Sequence, residues 1–169
     1  LSVAGARGQV AAPTKKPLRV AVIGCGDRGA RQLLPECCKE RVVAVVDPDP
    51  KRIEAALEQY RKTLPSADAG AVRTFADSRK LFDVMGKELD AVVIATPNHQ
   101  HAPPALLAMR HGIHAYVEKP LTHTIAEARL LRDVAKTRGV VTQMGNQGHS
   151  NEGCRRLCEY LWAGAIGQV

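Results

Sequence analysis

Gly24-Cys25-Gly26-Asp27-Arg28-Gly29 follows directly on the apolar run at residues 18–23, and Asp47 closes the next apolar run, 42–46. That order suits the binding of a dinucleotide. The first glycine permits a tight strand-to-helix turn, the second lets the backbone approach a pyrophosphate with no Cβ in the way, and the third lets helix and strand pack closely. A helix starting at this turn presents unpaired N–H groups and a partial positive charge to the phosphates. Glycine-rich turns also occur in loops that bind nothing. Here a strand before, a helix after and a carboxylate roughly 20 residues on raise the pattern above chance. Asp47 can accept hydrogen bonds from both hydroxyls of a ribose, and its charge would repel a 2′-phosphate, so NAD is expected over NADP. The plainer alternative for Asp47 is a solvated turn residue in Asp47-Pro48-Asp49-Pro50.

The elements that must position these residues follow from periodicity. Apolar runs alternate with amphipathic segments in a βαβα rhythm, which predicts an α/β fold of Rossmann type: a doubly wound parallel sheet with helices on both faces. Strands are expected at 19–23, 42–46, 72–75, 91–95, 114–117 and 140–144, and helices at 28–38, 51–60, 78–85, 103–111, 125–138 and 152–163. Pro35 falls inside the first helix and should bend or shorten it. In such a sheet ligands bind beyond the carboxyl ends of the strands, so residues just after each strand are candidates for chemistry. Besides the glycine turn, three junctions qualify: Ala95-Thr96-Pro97-Asn98-His99-Gln100-His101, Val117-Glu118-Lys119-Pro120-Leu121 and Gln143-Met144-Gly145-Asn146-Gln147-Gly148-His149.

Composition bounds the function. At 169 residues, 45% of them apolar, the chain suits one ordinary α/β domain and not two. It starts at Leu1 rather than Met and ends at Gly167-Gln168-Val169 without any terminal signal, so a fragment or a processed chain is expected. No apolar stretch approaches the roughly 20 residues needed to cross a bilayer, so no membrane span is expected. The formal charge of +7 invites a nucleic-acid reading, yet Lys and Arg are scattered and aromatic residues make up 4% of the chain. Solvated helix faces and one anionic cofactor account for the excess, and no nucleic-acid partner is expected. Cys25, Cys37, Cys38, Cys154 and Cys158 include no CxxC pair, and their odd number argues against a disulfide framework. Cys154 and Cys158, i and i+4 on an expected helix, read better as buried apolar residues than as metal ligands. His99 and His101 lack a nearby carboxylate or cysteine set, so no metal site is expected. Within residues 1–17, Ala4-Gly5-Ala6 matches the small-residue pattern of an export cleavage site. A protein exported folded to the periplasm and a cytoplasmic one with an ordinary N-terminal extension stand equal.

With these residues in order, the chain resembles the N-terminal half of the Gfo/Idh/MocA oxidoreductases, the family of glucose-fructose oxidoreductase and inositol dehydrogenase. The likeness runs from Leu18 to Val169 and rests on the glycine turn, the Thr96-Pro97-Asn98-x-x-His101 junction and above all Glu118-Lys119-Pro120. It implies a two-domain, homo-oligomeric enzyme. Residues 1–17 form an extension, 18–150 a dinucleotide-binding domain, and 151–169 a helix leading to a C-terminal α/β domain, expected beyond Val169, that supplies much of the pocket for a carbohydrate-like substrate.

In that family the lysine of the Glu-Lys-Pro triplet contacts substrate near the nicotinamide and assists proton movement, which makes Lys119 the expected catalytic residue. A charged lysine there can stabilise an alkoxide as hydride leaves the carbon. The bland alternative is a surface lysine paired with Glu118 or an upstream acid. By the same resemblance Glu118 contacts the nicotinamide ribose and Pro120 fixes the loop, a cis bond being one means. Thr96, Pro97, Asn98 and His101 run along ribose and pyrophosphate, and Asn98 and His101 can also organise the start of the following helix. Gln143 and Asn146 reach toward the nicotinamide amide or the substrate, while Gly145 and Gly148 admit the cofactor closely. This last segment departs from the family's commoner pattern of aromatic and basic residues. The family's second catalytic element, a histidine-bearing helix, is expected beyond Val169, and His149 does not replace it.

Three functions stay open at this point. The first is an NAD-dependent dehydrogenase passing hydride between nicotinamide and a secondary alcohol of a sugar, cyclitol or related compound. The second is an NAD-dependent glycosidase working by transient oxidation and elimination. The third is a noncatalytic dinucleotide-binding module.

Overall fold

Along Arg19–Ile23, strand β1, successive side chains leave on opposite faces, and both sets are buried: Val20 and Val22 on one side, Ala21 and Ile23 on the other. A strand apolar on both faces belongs at the centre of a sheet covered twice. The computed structural model, which describes residues 16–64 and 71–168, has that arrangement. Nearly all of the expected N-terminal extension lies outside the described residues.

After β1 comes a composite helix, α1, in which a π turn (Gly29–Leu33) leads into an α-helical turn (Leu34–Glu36) and a 3-10 turn (Cys37–Lys39). The chain continues through β2 (Arg41–Val46), α2 (Pro50–Thr63), β3 (Arg73–Phe75), α3 (Ser78–Met85) and β4 (Ala91–Ile94). It ends with α4 (Ala102–Arg110), β5 (His114–Glu118), α5 (Ile125–Arg138), β6 (Thr142–Gly145) and α6 (Glu152–Trp162). The described strands all pair in parallel, in the order β3-β2-β1-β4-β5-β6. The order reverses between β1 and β4, and a crevice at such a reversal is where ligands bind.

Val20 and Val22 pack with Leu34 and Cys37 of α1 and with Ala56, Leu57 and Tyr60 of α2. On the other face Ala21 and Ile23 meet Leu81, Phe82 and Met85 of α3, Met109 of α4 and Leu131 of α5. Asp90 pins the starts of β1 and β4 together. Its carboxylate accepts from the Arg19 amide at 2.8 Å and from Arg19 Nε and Nη2 at 3.0 Å. Those bonds hold the carboxyl down to about 2.

The structure departs from the sequence expectations in two places, the start of β6 and the burial of α6. Around Pro35, where a bend or shortening is expected, the first helix is irregular: the turn before the proline widens, the Leu34 amide reaches back to the Gly29 carbonyl, and the proline, which has no N–H, is accommodated. Strand β6 starts at Thr142 rather than at residue 140. Gly139 ends α5 in the left-handed region at φ 65°, the Val140 amide bonds to the Ala135 carbonyl, and Val140 is thereby spent on the helix cap. Cys154 and Cys158 are half-buried rather than buried, since α6 buries none of its residues among the described part; Leu157, Tyr160 and Trp162 are exposed. No helix among the described residues is long and apolar enough to cross a membrane.

Candidate functional site

The three glycines of the first turn have three different reasons to lack a side chain. Gly24 has φ 97°, and a Cβ there would lie 2.6 Å from the carbonyl carbon and oxygen of Ala95. At Gly29 a Cβ would collide with the Gly24 carbonyl, so the helix can approach β1 closely. In front of Gly26 nothing stands nearer than Arg52 Nη1 at 4.0 Å. The open space at the middle glycine, beside the first turn of α1, fits a pyrophosphate held by backbone amides. Gly24 N–H bonds to the Val46 carbonyl at 2.8 Å, which sets the turn against the end of β2.

Asp47 stands at that end and is buried. One of its oxygens, Oδ2, accepts from the Cys25 amide at 2.9 Å, and Oδ1 accepts from the Asp49 amide at 3.0 Å. The carboxylate therefore ties the glycine turn to β2 and also shapes the Asp47-Pro48-Asp49 turn. Sequence reasoning offered only the second of these beside the ribose contact. Each oxygen retains a lone pair for a further donor. Burial, and then the Asp47 charge, push the Cys25 thiol up to about 12, so it stays neutral and is no nucleophile.

Asp47, Gly24, Gly26, Asp27, Arg28, Thr96 and Pro97 line one groove of about 830 Å³ along the carboxyl ends of β1 to β4. Arg52, Asp77, Ser78 and Arg79 line it as well, from the first turns of α2 and α3, and the sequence reading passed over them. Asp27 is exposed and paired with Arg31 at 3.2 Å. A smaller cavity of about 300 Å³ adjoins, lined by Arg28, Thr96, Asn98, His101, Glu118, Lys119 and Gln147. Arg28, Ala95 and Thr96 belong to both cavities.

The 96–101 junction is held by His101, which is fully buried. Its Nδ1 lies 2.5 Å from the Pro120 carbonyl oxygen and its Nε2 lies 2.8 Å from that of Thr96. Both ring nitrogens are thus engaged by backbone, and His101 joins the two loops instead of offering a polar atom to a ligand. Neither Asn98 nor His101 caps α4 with its side chain, because the preceding 3-10 turn (Asn98–Gln100) runs directly into the helix. The Lys119–Pro120 bond is cis. Lys119 is exposed and forms no ion pair among the described residues. Glu118 is instead paired with Arg28: Nη2 donates to Oε1 at 2.6 Å.

At the end of β6 the residue lining the cavity is Gln147, not Asn146 or Gln143. The Gln143 side-chain amide donates to the Met144 carbonyl at 2.7 Å, and Asn146 lies on the exposed surface beyond the strand. Gly145 makes room for side chains rather than for a ligand, since a Cβ there would lie 2.5 Å from Tyr116 Oη and 2.6 Å from Glu118 Oε1. Gly148 faces open space.

Sheet order, glycine turn and groove together define a dinucleotide-binding Rossmann domain. Residues 18–146 match the family described as oxidoreductase family, NAD-binding Rossmann fold (GFO_IDH_MocA), and the chain belongs to that family. It is 29% identical over 156 residues to a dTDP-3,4-didehydro-2,6-dideoxy-alpha-D-glucose 3-reductase of Streptomyces violaceoruber, covering 92% of this chain and 43% of that one. With an alpha-N-acetylgalactosaminidase of Shewanella oneidensis it shares 31% identity over 144 residues, covering 83% of this chain and 31% of the relative. Among solved structures, the myo-inositol 2-dehydrogenase of Lactobacillus plantarum superposes with a TM-score of 0.70 at 25% identity, covering 91% of this chain and 43% of the enzyme. The chain spans less than half the length of each of these relatives.

Proposed function

We infer that this domain serves an NAD-dependent oxidoreductase acting on a secondary alcohol of a sugar, cyclitol or related compound. The inference rests on the adjacency of the two cavities: the groove beginning at Asp47 passes Gly26 and Arg28 and shares Arg28, Ala95 and Thr96 with the pocket that holds Lys119. A dinucleotide laid along that path has its adenosine ribose at Asp47, its pyrophosphate at Gly26 and the first turn of α1, and its nicotinamide half beyond β4 and β5. When bound, the nicotinamide supplies a two-electron hydride acceptor or donor.

The chain's own residues supply the rest. Asp47 accepts from ribose hydroxyls and repels a 2′-phosphate. Thr96, Pro97 and Asn98 wall the path, and His101 fixes it against the loop of Lys119. Glu118 presents a carboxylate to the nicotinamide ribose. Lys119, free of a protein partner among the described residues, donates to the substrate oxygen, where it can stabilise developing negative charge or relay the proton. Helix α6 leads toward a second domain that closes the substrate pocket and carries the oligomer contacts, and its exposed Leu157, Tyr160 and Trp162 fit that role.

A second reading has support in the similarity to the alpha-N-acetylgalactosaminidase. In it the same hydride chemistry is transient and the net reaction is release of an aglycone. One assay separates the two on the full-length enzyme, offered free sugars and cyclitols in one series and aryl glycosides in another. Net absorbance gain at about 340 nm with a free polyol is the expected result. Aglycone release without that gain would replace the dehydrogenase with the glycosidase.

A further inference from the structure

Arg28 lies in the glycine bend, yet backbone amides can hold a pyrophosphate there without any basic side chain. Its guanidinium points to other partners. Nη2 donates to Glu118 Oε1, Nη1 donates to Gln32 Oε1, and Nε is buried with no partner among the described residues. Glu118 is the last residue of β5 and is itself buried. Its Oε1 also accepts from Tyr116 Oη at 3.2 Å. The sheet is built around this group: Gly145 stands opposite Glu118 in register, and any side chain there would strike both Glu118 and Tyr116. Among the described residues Oε2 accepts no hydrogen bond, and Glu118 lines the smaller cavity.

We propose that Arg28 sets the redox preference of the dinucleotide site, by compensating the Glu118 carboxylate at the nicotinamide end. The oxidised ring is a cation and the reduced ring is neutral. An unpaired carboxylate beside the ring would favour the oxidised form, and the Arg28 guanidinium cancels that bias. The inference rests on the reading that a nicotinamide dinucleotide fills the groove. It also explains a basic residue at the junction of the two cavities whose guanidinium donates to a carboxylate.

The test is the ratio of the dissociation constants of NADH and NAD⁺, measured by calorimetric titration of the chain and four variants. Arg28→Met is expected to raise that ratio about tenfold, as expected for loss of one charge from a partly dry site. For a two-electron couple this equals a fall of about 30 mV in the potential of the bound cofactor. Glu118→Gln should move the ratio the opposite way, because the guanidinium is then left uncompensated. Arg28→Lys and the double variant Arg28→Met/Glu118→Gln should both return it to within about threefold of the parent, since each balances the charge again. If Arg28→Met does not fold, the opposed shift in Glu118→Gln decides. Equal weakening of both redox forms in Arg28→Met, or an unchanged ratio in Glu118→Gln, would overturn the proposal while leaving the dinucleotide site in place. Failure of the parent chain to bind either form would overturn both.

Discussion

Lys119→Ala is expected to lower kcat of the full-length enzyme by about 100- to 10,000-fold, the usual range for a positioned acid or base. NAD affinity should stay within about twofold, because the pyrophosphate and the adenosine ribose are held elsewhere. The split follows from where the lysine stands. It is exposed at the carboxyl end of β5, lines the smaller cavity beside Thr96 and Asn98, and takes no part in the larger groove. It is also uncommitted. Glu118, the neighbouring carboxylate that a surface pairing could have used, is paired with Arg28, and no other acid pairs with Lys119 among the described residues. Steady-state kinetics together with a binding titration check the point, and unchanged turnover would remove Lys119 from the mechanism.

Gly26→Ala should weaken NAD binding on the order of 100-fold while leaving the fold and its thermal midpoint nearly unchanged. This position differs from the glycines on either side. Gly24 needs its left-handed backbone and Gly29 its contact with the Gly24 carbonyl, so a side chain at either one disturbs the fold itself. At Gly26 the backbone lies outside the left-handed region, and the nearest atom a methyl group would meet is Arg52 Nη1 at 4.0 Å, the tip of a flexible side chain. The only thing displaced is whatever binds there. A methyl group holding a pyrophosphate off the backbone forfeits charge-assisted hydrogen bonds from several amides, which sets the size of the loss. Circular dichroism with a thermal scan reads the fold and calorimetry reads the binding. A variant that binds NAD as well as the parent would remove the pyrophosphate from this bend.

Much of this was legible in the sequence because local patterns carried it. The β1 strand, α3 at 78–85 and α5 at 125–138 fall at the expected residues, since apolar period and caps agree there: Asp77 caps α3, and Thr124 with Glu127 forms a reciprocal cap on α5. The glycine turn was equally plain, each glycine having a steric reason that spacing alone foretells. What stayed hidden was side-chain pairing across the chain. Arg28 and Glu118 are 90 residues apart, and nothing in either segment's periodicity announces the other. His101 likewise reads as a ligand or a cap until the fold brings Pro120 and Thr96 carbonyls to both of its nitrogens. Asp47 read as a ribose acceptor or a turn residue, and it fastens the Cys25 amide as well. The expected β6 begins two residues before the observed one, because Val140 looks like strand and serves as a cap. Beyond the strand, spacing does not distinguish Gln143, Asn146 and Gln147, and only the fold brings Gln147 to the cavity wall.

The account depends on a bend of bare backbone gripping a diphosphate while the acid at the end of β2 reads the adjoining sugar. Parallel titrations of the chain with NAD and NADP test it most directly, repeated on Asp47→Asn, which removes the charge and keeps the shape. One saturable site is predicted, with NAD bound at least about tenfold more tightly than NADP and the difference narrowed in the variant. Tighter binding of NADP by the parent chain, or no binding of either, would contradict it.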